Sequence, residues 1–183
     1  MLRTFLTRWL DGFEKQWGYD ASYMRQILRA SPATLLKFSF ATGVVDRKAA
    51  PADALVAAGL VATLAEDCGP CTQIGVDMAA ASGVRPEVLR AILAGDEPAM
   101  GEAAALAWRF ARASLARDME AADPLREEIL RRWGEKGLVA LSMSLMTGRM
   151  YPTLKYALGY GKACSRIVVA GVAAPVAHLA EAA

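Results

Sequence analysis

Two cysteines separated by two residues, Cys68-Gly69-Pro70-Cys71, have the types and spacing that point to chemistry. Residues three apart in a helical turn share a face, with β-carbons about 5–6 Å apart, near the range in which two sulfurs join. At the start of a helix, free amide donors and the positive end of the dipole favour a thiolate and lower its pKa. Pro70 suits such a first turn, where amides have no intrahelical acceptor. Glu66 and Asp67 act against it, because a neighbouring carboxylate disfavours a second negative charge. The chemistry within reach is thiol–disulfide exchange, in which one sulfur attacks and the other resolves. An inert buried pair and half of a zinc site are the alternatives. Zinc needs four ligands, and Cys164 and His178 lie far along the chain, so neither a metal nor another cofactor is expected.

Residues around the pair have weaker claims. Glu66 or Asp67 can serve as a carboxylate base, although capping a helix is the more ordinary task for either. Gln73 can hydrogen-bond a substrate or simply face solvent. Asp77, six positions after Cys71, is about 240° round an ideal helix and faces elsewhere. Gly75 leaves room for a ligand or, more simply, for a neighbouring helix. Further on, Arg149, Tyr151, Lys155, Tyr156, Tyr160, Lys162, Cys164 and Arg166 crowd one segment. Tyr156 and Tyr160 share a face at i, i+4. That segment reads either as a pocket wall for an anionic or peroxidic substrate, or as a half-buried helix with snorkelling cations; the second weighs more. Cys164 reads as a small core residue and His178 as a solvated or interface residue.

The elements that must position these residues repeat at the helical period. Leu2, Leu6, Trp9, Leu10, Phe13 and Trp17 form one stripe, stopped by Gly18. Asp20 or Ser22 caps a second helix, and Ser31-Pro32 opens a third. A fourth runs over 51–66. Pro86 begins a short helix closed by Gly95, and Pro98 begins a long one. Asp123-Pro124 starts another, which Gly134 and Gly137 interrupt, and Pro152 opens a Tyr-rich helix to about Val169. Strand-like composition is confined to Val168-Val169. The fold class is all-α, read as one domain over 1–183: an N-terminal helical extension over 1–45, a core over 51–165 and a helical tail over 166–183.

Composition narrows the function classes. With 55% hydrophobic and 22% charged residues among 183, the chain is of folded rather than disordered composition. Net charge is +2 with no dense Lys/Arg cluster, which argues against nucleic acid. The uncharged runs 54–65 and 167–180 are shorter than the ~18–20 residues of a bilayer span, so no membrane is expected. The cytoplasm is the expected compartment, where a close cysteine pair is more often redox-active than structural.

The tetrapeptide CGPC is shared with thioredoxins, but there it follows a strand in a βαβ unit that this chain does not supply. Another layout fits better. An Ala-rich helix enters Cys68-Gly69-Pro70-Cys71, followed by Ala79 to Gly83, then Val84-Arg85-Pro86-Glu87, then Ala103-Ala104-Ala105-Leu106-Ala107-Trp108-Arg109-Phe110-Ala111. This resembles the carboxymuconolactone decarboxylase-like superfamily, in its alkylhydroperoxidase AhpD-like branch, over about 51–165. The resemblance implies a helical bundle, here with an extra N-terminal helical segment, and a homo-oligomer such as a dimer, trimer or hexamer. It also implies thiol–disulfide exchange coupled to reduction of a small peroxide or disulfide at Cys68 and Cys71. The branch typically carries a Glu twelve residues before the first cysteine and a His four after the second; here those positions are Val56 and Gly75. The usual proton relay is therefore absent. The expected function is a thiol–disulfide oxidoreductase or peroxidase. The alternative is a catalytically degenerate relative that binds a small ligand or a partner. A lactone decarboxylase is disfavoured because such members generally lack the cysteine pair.

Overall fold

The computed structural model describes residues 1–161 and 166–177. Helix accounts for 76% of it, and the only sheet among the described residues is one two-stranded hairpin, so the class is all-α. The helices are α1 (Leu2–Trp17), α2 (Ser22–Ala30), α3 (Pro32–Phe40), α4 (Ala52–Ala65), α5 (Gly69–Ala81), α6 (Pro86–Ala94), α7 (Glu97–Met100), α8 (Glu102–Ala116) and α9 (Met119–Ala157).

The centre is α4. Its sequence is apolar all round, as a helix buried on every side must be, and Ala54, Ala57, Ala58, Val61 and Ala62 are wholly buried. It lies against α5, α8 and α9. Its crossing with α9 is close because small residues meet there. A Cβ on Gly148 would stand 2.6 Å from the Gly59 carbonyl oxygen and 2.7 Å from the Ala62 Cβ. Ser144 of α9 donates its hydroxyl to the Leu55 carbonyl of α4 at 2.7 Å.

The first three helices build a second, smaller core from Leu6, Leu10, Tyr19, Tyr23, Met24, Leu28 and Leu35. Gly18 ends α1 at φ +57, and Ser31 caps α3 by accepting the Thr34 amide at 3.2 Å. The guanidinium of Arg25 holds α2 to α1 through Asp11 and Glu14. Ile74 of α5, Tyr151 and Leu154 of α9 and Leu158 just after it pack against this lobe. The cysteine segment thus lies where the lobe meets the main bundle.

Four boundaries differ from the sequence reading. The expected long helix from Pro98 is divided at Gly101 (φ +81), giving α7 and α8. The next helix starts at Asp118, whose carboxylate accepts the Ala121 amide at 3.0 Å; this cap precedes Pro124, which becomes an interior residue. Neither Gly137 nor Pro152 interrupts α9, although Gly134 kinks it with φ +66 and ψ −172. Finally, α9 stops at Ala157, and the expected helical tail begins as an antiparallel hairpin of Val168–Val169 with Val172–Ala173. Ala170 and Gly171 both have positive φ, the requirement of a two-residue hairpin turn that matches strand twist. Ile167 and Val169 point inward, a spacing of two that suits a strand. Cys164, Lys162 and His178 lie outside the described residues.

Candidate functional site

Cys68 is the residue that caps α5, in extended backbone with φ −105, and Cys71 ends the first turn. The turn that delivers them is tight, since Asp67 before them is held at φ +47. Pro70 occupies the start of the helix, where its missing amide removes no helical bond. Both cysteines are buried, and their sulfurs are 2.6 Å apart.

The surroundings of the pair come from three distant stretches. Tyr19 follows α1, Tyr23 lies on α2, and Lys155 lies on the last turn of α9. The Lys155 Nζ donates to the Tyr19 hydroxyl at 3.2 Å and stands 4.9 Å and 5.5 Å from the ring centroids of Tyr19 and Tyr23. Lys155 is 3% exposed, and no carboxylate among the described residues forms an ion pair with it. Tyr19 also acts on Cys71, drawing its thiol down against the larger effects of the Cys68 sulfur and of burial. Tyr151, one turn before Lys155, packs edge-on to Phe38 at 5.2 Å, and its buried hydroxyl has no hydrogen-bond partner among the described residues.

This setting makes the two sulfurs unequal. The Cys68 thiol is lowered to about 7, chiefly because Cys71 donates to its sulfur, helped by the Cys71 amide and the charge of Lys155. Asp67 opposes the shift, as its sequence position suggested, but as the least of the named influences. Cys71 moves the other way: as partner of the Cys68 sulfur and by burial it holds its proton well above the ordinary range. Burial likewise raises Tyr19 and Tyr23, which stay neutral. The arrangement is two unequal sulfurs in contact, the first drawn toward thiolate and the second toward thiol, with the cluster of Lys155, Tyr19 and Tyr23 acting on them.

Residues selected from the sequence fall in less central places. Glu66 forms an ion pair with Arg149 at 2.5 Å rather than capping α5. The Asp67 side chain does not cap the helix either; its carbonyl accepts the Tyr156 hydroxyl at 2.9 Å. Tyr156 is 44% exposed, so it fastens the turn from outside. Tyr160 is half-buried against the N-terminal lobe. Gln73 is a structural clamp: its amide donates to the Val168 carbonyl at 2.9 Å and accepts the Val168 N–H at 2.8 Å, which pins the hairpin to α5. Gln73 also donates to Asp77 at 2.9 Å. At Gly75 an added Cβ would stand 3.1 Å from Leu60, so that position serves helix packing. Val56 is half-buried against the main core.

Sequence reasoning missed Tyr19 and Tyr23 and valued Lys155 only as one of several cations. Tyr19 lies between α1 and α2 and Tyr23 in the first turn of α2, so no single helix pattern marks them together; Lys155 and Tyr19 meet across 136 positions. Surface cavities of about 230 and 320 Å³ lie elsewhere, beside Asp53 and Arg85 and beside Glu135 and Lys136. No cluster of three metal-ligating side chains occurs among the described residues, and no described helix is long and apolar enough to cross a membrane. Compared with known proteins, the chain matches no family model, no curated protein and no solved structure.

Proposed function

We propose that the protein is a thiol–disulfide oxidoreductase that works through Cys68 and Cys71, in the manner of the AhpD-like group. The observation that carries this reading is the contact of the two sulfurs, 2.6 Å apart at a helix start, in surroundings that lower Cys68 and raise Cys71. Cys68 is the attacking sulfur. As a thiolate it displaces one sulfur of a substrate disulfide, releasing a thiolate and leaving a mixed disulfide on Cys68. Cys71 then attacks Cys68, its proton passing to the second departing thiolate. The protein loses two electrons, and the substrate becomes one thiolate, which takes its proton from water, and one thiol. A peroxide would be reduced on the same pair through a sulfenic acid on Cys68, which Cys71 condenses to the disulfide with loss of water. A homo-oligomer acting in the cytoplasm on small disulfides or peroxides completes the proposal. In support, Phe40, Val139 and Met146 leave apolar surface exposed.

The second reading, a binding protein without turnover, draws on the burial of both sulfurs and on the packing of Val56 and Gly75 at the positions of the usual relay. Titration in glutathione buffers separates the two. The working couple is expected to form its intramolecular disulfide between about −200 and −300 mV, and Cys68→Ser or Cys71→Ser to abolish turnover with a dithiol reductant. A pair that remains reduced throughout, or full activity in either serine variant, would overturn the oxidoreductase reading.

A further inference from the structure

A buried ammonium needs an anion. Taking Lys155 out of water without a partner costs several kcal/mol even after relaxation, and its two tyrosine rings and one hydroxyl return only part of that. Carboxylates are absent from its ion-pairing range among the described residues. Glu66 is committed to Arg149 on the surface. Among the described residues the groups that touch the ammonium are the neutral Tyr19 and Tyr23; the next residue, Tyr156, bonds the carbonyl just before Cys68 at 2.9 Å, which brings the lysine's charge to bear on both sulfurs.

Resting on the oxidoreductase reading, we infer that Lys155 is the permanent counter-charge of the cysteine pair, held in place by Tyr19, and that it does the electrostatic work of the missing Glu/His relay. In the reduced protein it balances the Cys68 thiolate. When Cys68 is engaged in a mixed disulfide, the same charge favours loss of the Cys71 proton to the departing thiolate, so the negative charge moves from one sulfur to the other beside a fixed cation. When the pair is oxidised, both sulfurs are neutral and Lys155 is left without its anion, which favours the return of electrons. Tyr19 is a positioning residue in this scheme: its hydroxyl accepts from Lys155.

The test is the titration of the thiols in the full-length reduced protein, followed by far-ultraviolet thiolate absorbance and by alkylation resolved for each cysteine. Lys155→Met keeps the length and apolar stem of the side chain. It is expected to move the Cys68 titration up by about one unit, which leaves about tenfold less thiolate below the wild-type midpoint, and to make the disulfide harder to reduce. Lys155→Arg is expected to restore the wild-type titration. Should Lys155→Met fail to fold, Tyr19→Phe decides: it removes the hydroxyl that holds the ammonium at 3.2 Å, and it is expected to shift the titration in the same direction. An unchanged titration in a folded Lys155→Met, or in Tyr19→Phe where the former does not fold, would overturn the inference. These outcomes are separate from the parent reading, which falls if the wild-type pair never oxidises, whatever its titration.

Discussion

At the scale of single residues, the site is a set of polar groups taken out of water and satisfied to different degrees. The Tyr19 hydroxyl accepts a hydrogen bond from Lys155, whereas the Tyr151 hydroxyl is buried with no partner among the described residues. An unsatisfied buried hydroxyl carries a desolvation cost of about 1–3 kcal/mol, so Tyr151→Phe is expected to raise stability by about 1 kcal/mol in urea unfolding. The gain should grow in alkali. Burial raises Tyr151 to about 12 from 10, so in wild type the unfolded chain ionises first above pH 10, and stability falls until the folded form ionises too. Phenylalanine has no such loss. The cysteine pair was legible in the sequence because four consecutive residues carry its whole signal. Lys155 and Tyr19 were not, because their meaning lies in each other's position, and a lysine or tyrosine at helical spacing is otherwise unremarkable. Glu66, Asp67, Tyr156 and Gln73 drew notice by proximity in sequence or by type, yet they hold the turn, the surface and the hairpin rather than the thiols.

Among the elements, helix starts and stops followed local chemistry where one residue decided them. Gly18, Ser31 and Gly95 end or cap helices as their types require. Among the readings that failed, two involved prolines. Pro124 and Pro152 sit inside α9, whose stronger signals are the Asp118 cap and the contact with α4. That contact depends on the absence of side chains at Gly59 and Gly148. Because a Cβ at Gly148 would already collide with backbone, Gly148→Val is expected to destabilise the fold by about 1–3 kcal/mol, the usual cost of overpacking. Thermal unfolding would measure it. Gly12, with open space around it, is the control position: Gly12→Ala should cost nothing and add helix propensity to α1.

Over the whole molecule, two cores meet at one pair of sulfurs. The main bundle supplies α5, and the smaller N-terminal core supplies the tyrosines that close over it. A lobe with so little buried apolar surface is expected to open at lower free energy than the bundle. Substituting Leu10→Ala, a wholly buried lobe residue, should cost about 2–5 kcal/mol locally and speed alkylation of Cys71 markedly. The matched change in the bundle, Leu141→Ala, should leave alkylation nearly unchanged under native conditions; equal rates in the two variants would count against lobe opening as the route of access. The 136 positions between Tyr19 and Lys155 also have a consequence for biosynthesis. While the chain is still emerging from the ribosome, Cys68 and Cys71 are already made but the lysine that charges their environment is not. A nascent or truncated chain therefore carries both cysteines without the buried cation that acts on them in the folded protein, and that part of their surroundings is complete only when nearly the whole polypeptide has been made and folded.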